Sequence, residues 1–414
     1  MSHDIETALE DLRDRGLYRR MRMVSGPQGP RVLLDGKPVL LLCSNNYLGL
    51  ADHPRVREAA AEAAMRYGAG AGASRLVSGT MRIHRRLEER LAEFKGSERA
   101  LLFGSGYLAN VGTIQALARP GEVVFSDALN HASIVDGCRL AGAETFVYDH
   151  ADLDHLAWGL EQAEGRGSLI VTDGVFSMDG DIAPLEGIVE LAREHDVRVM
   201  VDDAHGTGTI GPGGRGTAAA AGLEDEIDVL VGTLSKSLGS YGAYVCCERR
   251  VAKYLVNTAR TLIFSTALPP PAVAAAMAAL ELLQSEPRRV EKVQRNSAML
   301  REALNQEGLP TLPGITPVIP LVIGDAETAV AATEHALGRG VFAQAIRPPT
   351  VPAGTSRLRL TVMASHTKSE LREAASTIAA AVPAKARKAM ARHALEAQPR
   401  ADGSRVFDRL ADAA

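Results

Sequence analysis

The chain has 414 residues, 46% of them hydrophobic and 23% charged, with a net charge of −4. That length suits one large domain and a smaller one, and the charge shows no basic excess for nucleic acid. An aromatic fraction of 4% also argues against base stacking. Cys43, Cys138, Cys246 and Cys247 have neither CxxC spacing nor a histidine pattern, so they read as reduced thiols and no metal site is expected. No run of about 18 apolar residues suggests a membrane span, and the acidic N-terminus lacks the apolar stretch of a signal peptide; a cytoplasmic location is expected.

The opening residues read as an amphipathic helix with Ile5, Leu9 and Leu12 on one face. "RVLLDGKPVLLL" reads as a hairpin turning at its Asp-Gly pair. "CSNNYLGL" follows, then a helix from about Pro54 to Arg66. "YGAGAGASRLVSGT" reads as a loop whose glycines let backbone bend or approach something closely. "HRRLEERLAEFKGSE" is a helix with a glycine stop.

From residue 100, short Val/Ile/Leu runs alternate with helices of about a dozen residues. That rhythm implies βα units and a mostly parallel, buried sheet, an α/β fold whose ligands bind beyond the carboxyl ends of the strands. Ser105-Gly106-Tyr107, Asn130-His131, Ser177, Asp202 with His205, and Lys236 all fall at such ends. After "STALPPPAVAAAMAAL" a single long helix is expected to reach about Glu307. "PVIPLVIGD", "FAQAIRPPTVP" and "SRLRLTVMASH" suggest a smaller sheet with helices, and the residues from 385 onward a helical or disordered tail. The expected division is an N-terminal helix and hairpin (1–45), a large domain (46–285), a small domain (286–384) and the tail (385–414).

The chemistry concentrates in "VRVMVDDAHGTGTIG" and "VLVGTLSKSLGSYGAY". By strand alternation Asp202 and Asp203 face opposite ways, so one can be buried while the other serves the loop. Lys236 has no charged neighbour from Val229 to Val245. It either pairs with a buried aspartate in an internal salt bridge, or both residues contact a cofactor. A lysine amine condenses with an aldehyde, and an aspartate keeps a pyridine nitrogen protonated. Those are the two tasks a protein performs on pyridoxal 5′-phosphate (PLP). "GSGYLAN" offers N–H groups at a helix start, a phosphate seat, and Thr233 adds a hydroxyl. His131, at a strand-to-helix junction, is placed to cover the ring.

"SNNYLGL", "GSGYLAN", "NHASIVDG", "VFSMDGDIAPL", "VDDAHGTGTIGPGGRG", "GTLSKSLGSYGAY" and "IFSTALPP" occur in this order, and together they resemble the α-oxoamine synthases, fold-type I PLP transferases. The resemblance runs from about residue 5 to about 382. It implies that Lys236 carries the cofactor's aldehyde and later moves protons at the substrate Cα. Asp202 would pair with the ring nitrogen, His205 with the ring's 3′-oxygen beside Ser177, and His131 would stack on the ring. Gly106, Tyr107 and Thr233 would contact cofactor or phosphate. Thr266 would reach the phosphate of a neighbouring subunit, making an obligatory homodimer with shared sites. Asn45 matches a substrate-contacting asparagine. Arg357 and Arg359 are candidates for the substrate carboxylate, Arg359 being the better match; Arg19 and Arg347 are candidates for an acyl-chain carboxylate or CoA phosphates, with Arg347 alternatively serving the amino acid's carboxylate and Arg19 alternatively a surface residue. "AIRPPTVPAGTSRLRLTVMASH" is nearest to family members that join L-alanine to a pimeloyl thioester, on CoA or a carrier protein, in biotin synthesis. Glycine with acetyl-CoA and serine with palmitoyl-CoA use the same machinery. Aminotransferases and lyases of this fold share the lysine and aspartate but need no thioester.

Overall fold

The computed structural model describes residues 4–396. Near the N-terminus, β1 (Val24–Ser25), β2 (Arg31–Leu34) and β3 (Lys37–Leu41) form an antiparallel ribbon. Asp35 and Gly36 make its tight turn at φ of 50° and 79°, the left-handed geometry that Asp-Gly supplies.

Seven strands build the central sheet: β4 (Arg99–Phe103), β5 (Val123–Asp127), β6 (Glu144–Tyr148), β7 (Gly167–Asp173), β8 (Arg198–Asp202), β9 (Val229–Thr233) and β10 (Ala243–Cys247). Their order is β4-β10-β9-β8-β7-β5-β6. Only β10 runs antiparallel, to β4 and β9 on either side. β5, β9 and β10 are buried at every position, as expected where helices cover both faces. Side-chain alternation divides β8 between two cores. Val199 and Val201 join the core under the helix Arg82–Lys95; Met200 joins the one under the helix Gly106–Leu117.

A third core lies around β11 (Val318–Gly324), β13 (Gln344–Ile346) and β14 (Ser356–Thr361), ordered β11-β14-β13. β12 (Val341–Phe342) pairs in parallel with β3, tying the N-terminal ribbon to this region. The helix Ala384–Glu396 buries Ala386 and Met390 in the same core, giving the apolar residues of the tail's first part a partner. The remainder of the tail lies outside the described residues.

Two local expectations are corrected. The single long helix is two, Pro270–Ser285 and Arg288–Gln306. Pro287 has no N–H to continue the first, and it pushes Glu286 out of helical geometry, to φ −125° and ψ 61°. The glycine-rich loop also contains one π-helical turn, Arg75–Gly79. A Cβ on Gly79 would stand 2.1 Å from the Ala73 carbonyl oxygen, so only glycine fits there.

The two adjacent acids at the end of β8 part as alternation requires. Asp203 turns to the Arg82–Lys95 side and meets Lys95 Nζ at 2.9 Å, both side chains being buried. Lys95 also donates to Thr207 Oγ1 at 2.8 Å and to the Arg215 carbonyl. The second carboxylate oxygen of Asp203 accepts from the N–H and hydroxyl of Thr217 at 3.0 and 2.8 Å. Every lone pair that matters is therefore used, which is what a buried ion pair needs. Removing one partner strands the other charge. Lys95→Met should lower apoprotein stability by about 3–5 kcal/mol in urea unfolding. Arg57→Met, which removes the exposed pair to Asp52, should change it little.

Candidate active site

The parallel strands β5, β7, β8 and β9 deliver their carboxyl ends to one edge of the sheet. Asp173 and Asp202 are register partners there, on neighbouring strands. Asp202 is buried on the side of the helix Gly106–Leu117. Its oxygens accept from Asn110 Nδ2 at 2.6 Å and from the Ala204 N–H at 2.9 Å. Both donors are neutral, and no described residue forms an ion pair with it. The buried salt bridge weighed for Lys236 is thus made by Lys95 and Asp203 instead.

Lys236 follows β9 directly, and its Nζ lies 2.7 Å from His205 Nε2. Burial pushes the amine down to about 8, although Asp202 and Asp173 pull the other way. His205 is buried, and desolvation followed by the nearby Lys236 and Arg359 charges holds it well below the ordinary histidine range. It is therefore neutral. Its Nδ1 lies 2.7 Å from the hydroxyl of Tyr47, a fully buried residue.

His131 caps the helix Ala132–Ala141. The Ser133 N–H donates to His131 Nδ1 at 3.2 Å, so Nδ1 is the acceptor nitrogen, and Ser133 Oγ, itself bonded by Asn110, lies 2.7 Å from it. The ring's remaining proton then sits on Nε2. Burial of the ring outweighs the pull of Asp202 and lowers its pKa. The backbone N–H of His131 donates to Asp173 at 2.9 Å. Burial, with Asp202 beside it, pushes the Asp173 carboxyl well up.

Arg359, on β14, reaches the same cluster from the other sheet. Its Nη1 and Nη2 each lie 3.3 Å from Asn45 Oδ1, and Nε donates to the Ser177 carbonyl. None of these acceptors carries a charge. Arg357, two residues earlier, is paired with Asp179. The strand thus presents one neutralised arginine and one whose charge is still available. The loop holding Ser177 is fastened further by His150, which bridges Asp127 at 3.0 Å and Asp181 at 2.7 Å.

Ser105 caps the helix Gly106–Leu117 through the Leu108 N–H at 3.2 Å. The first N–H groups of a helix have no intrahelical acceptor, and a Cβ on Gly106 would meet nothing within 4 Å. An anion has room there. Tyr107 is 45% exposed and its hydroxyl donates to Asp136 at 2.6 Å. Thr233 is buried; its hydroxyl donates to the Gly242 carbonyl and lies 2.8 Å from Ser235 Oγ. Thr266 is exposed, in a bridge with Ser74. Arg347 donates to the Tyr18 carbonyl at 2.7 Å, and burial and the neighbouring Arg19 lower its pKa. Arg19 itself is exposed. Asn110, Ser133, Asp173 and Tyr47 were missed from sequence. They carry no charge pattern, and their roles come from what lies across the fold.

These groups fit PLP. Asp202 is a buried anion held only by neutral donors, so a protonated ring nitrogen would supply the missing cation. Lys236 offers an amine that is partly neutral near pH 8, and the open helix start offers N–H groups to a phosphate.

Residues 37–378 match the aminotransferase class I and II family. The 8-amino-7-oxononanoate synthase of Geobacter sulfurreducens is 53% identical over 382 residues, 92% of this chain and 98% of that one. That of Geobacter metallireducens is 54% identical over 383 residues, with the same coverage. Among solved structures, the serine palmitoyltransferase of Sphingomonas wittichii superposes with a TM-score of 0.87 at 32% identity, covering 91% of this chain and 96% of that one. A serine palmitoyltransferase of S. paucimobilis with PLP and myriocin bound gives 0.87 at 33%, covering 92% and 96%. The 8-amino-7-oxononanoate synthase of Francisella tularensis gives 0.72 at 26%, covering 83% and 97%. With the fold, the lysine–aspartate cleft and these relatives in agreement, the chain belongs to the aminotransferase class I and II family, in its α-oxoamine synthase branch.

Proposed function

We propose that the chain condenses L-alanine with a pimeloyl thioester, on CoA or a carrier protein, releasing CO2 and the thiol and yielding 8-amino-7-oxononanoate. The observation that carries this reading is the cluster of Lys236, His205, Asp202 and Arg359, an arginine with no carboxylate partner among the described residues, in a chain about half identical to enzymes of that name. PLP, when bound, supplies an electron sink that makes the amino acid's Cα–H bond acidic.

The chain's own residues do the rest. Asp202 holds the ring nitrogen's proton. Lys236, close to half neutral at pH 8, moves the proton at Cα. Arg359 and Asn45 receive the amino acid's carboxylate, the guanidinium fixing its plane as well as its charge. His131 covers the ring's face, and the helix start at Gly106 and Tyr107, with Thr233 nearby, takes the phosphate. Arg347 and Arg19, two adjacent cations, suit the far carboxylate of a pimeloyl chain or the phosphates of CoA.

The active unit is a homodimer. Leu76, Val77 and Phe264 are 55%, 80% and 71% exposed, on two segments joined by the Ser74–Thr266 bridge. A second copy covering them would bring Thr266 to its partner's phosphate. No helix among the described residues is long and apolar enough to cross a membrane, in keeping with a cytoplasmic enzyme.

The solved serine palmitoyltransferases superpose well enough to keep serine with palmitoyl-CoA as a second reading. Thiol release separates the two. Purified enzyme should release CoA from pimeloyl-CoA with alanine, and not from palmitoyl-CoA with serine or acetyl-CoA with glycine. Release with another pair would move the substrates and leave the family. No release with any pair, the carrier-protein thioester included, would refute a condensing activity. Within that assay Lys236→Ala should fold, lose the visible band of covalently held cofactor and lose turnover. Arg359→Ala should weaken alanine by about 10- to 150-fold in KM, the range for a hydrogen-bonded charge. Arg357→Ala should act chiefly on stability, by freeing Asp179.

A further inference from the structure

Five groups lie on one unbroken hydrogen-bonded line, running from Lys236 Nζ to His205, the Tyr47 hydroxyl, Asn45 Oδ1 and Arg359. The separations are 2.7 Å from Lys236 to His205, 2.7 Å from His205 to Tyr47, 3.1 Å from Tyr47 to Asn45, and 3.3 Å to each terminal guanidinium nitrogen. The line joins the amine that does chemistry to the seat of the substrate's carboxylate. Tyr47, its middle member, has 0% exposure.

The proton count along the line is constrained. His205 is neutral, so one ring nitrogen donates and the other accepts. Tyr47 carries one hydroxyl proton, and Asn45 Oδ1 can only accept. With Tyr47 donating to Asn45, its oxygen accepts from His205 Nδ1–H, and Nε2 accepts from Lys236. If Nε2 must instead donate, Nδ1 takes the Tyr47 proton and Asn45 loses that donor. The hydroxyl therefore cannot serve both neighbours, and the state of one end sets the state of the other.

We propose that Tyr47 is a positioning residue whose single hydroxyl proton couples the tautomer of His205 to the carboxylate seat formed by Asn45 and Arg359. It acts through His205 on Lys236, and on Arg359 both directly and through Asn45. This rests on the reading of Lys236 and Arg359 given above. The charged and titratable groups facing the line are Asp202 and Asp173 at the strand ends, His131 on its helix cap and Arg359 on β14. All of them stay in place when only the Tyr47 hydroxyl is removed.

The test begins with the apoenzyme, before any substrate question arises. Nitrogen-15 histidine spectra of the wild type, assigned with His205→Gln, should show His205 neutral with its proton on Nδ1. A proton on Nε2, or on both nitrogens, would overturn the proposal, and this measurement needs no Tyr47 variant to fold. Second, the rate of PLP uptake by the apoenzyme, followed by absorbance, should rise with pH around a midpoint near 8, as Lys236 becomes neutral. In Tyr47→Phe the Nε2 acceptor is no longer enforced, the ammonium form of Lys236 loses support, and the midpoint should move to lower pH. Third, loaded Tyr47→Phe should show a KM for alanine raised at least about fivefold, the scale of one lost hydrogen bond, with a far smaller change in KM for the thioester. An unmoved uptake midpoint or an unchanged alanine KM would overturn the coupling. The first two readouts hold whatever acyl group the enzyme prefers, so their failure is distinct from failure of the substrate assignment.

Discussion

Two neighbouring carboxylates, Asp202 and Asp203, both end up buried, and the architecture follows from how differently they are satisfied. Alternation at the end of β8 sends them to opposite faces of the sheet. Asp203 finds a cation, Lys95, and a full set of donors, and so locks the helix Arg82–Lys95, the turn after β8 and Thr217 into one block. Asp202 finds only an amide and a backbone N–H. One acid is spent on rigidity, which leaves the other with a charge held in place and not neutralised. A buried anion in that condition is costly unless a cation arrives, and a protonated ring nitrogen is such a cation.

The same division recurs on the second sheet. Arg357 and Arg359 sit two residues apart on β14, yet Asp179 takes the charge of one while neutral oxygens hold the other. Hydrogen bonds to neutral acceptors fix the orientation of a guanidinium without cancelling its charge, which suits it to a visiting carboxylate. The paired arginine meanwhile holds down the loop around Met178 and Asp179, next to the Ser177 carbonyl that Arg359 uses. At both ends of the cleft a structural ion pair stands directly beside an uncompensated charge. That arrangement lets a site carry strong fields without losing its shape.

Much of this was legible in the residue order. The alternation of apolar runs with helices located the sheet and its carboxyl edge, and Lys236 drew notice because nothing charged accompanies it in sequence. The Asp-Gly turn between β2 and β3 followed from two residues alone. What stayed hidden depends on partners distant along the chain. Lys95 lies 108 positions from Asp203, and Asn110 lies 92 from Asp202, at separations where periodicity carries no information. Tyr47 was visible as part of "SNNYLGL", but its meaning comes from His205, 158 residues away. The break at Pro287 was a different failure, because a helix-stopping residue stood in plain view within an otherwise helical run.

The hidden contacts also explain why the Lys236 amine can lose its proton near pH 8. A lysine buried beside carboxylates in ion-pair contact would keep its proton, and one beside only apolar groups would lose it entirely. Here desolvation lowers the amine to about 8, with Asp202 and Asp173 limiting the fall. Those acids can play that limited part because neither is in ion-pair contact with the amine. Asp202 is held by Asn110 on its own side of the sheet, and Asp173 is anchored by the His131 N–H with its carboxyl pushed well up. Asp203, on the opposite face, is satisfied by Lys95 and Thr217 and so makes no demand on the amine.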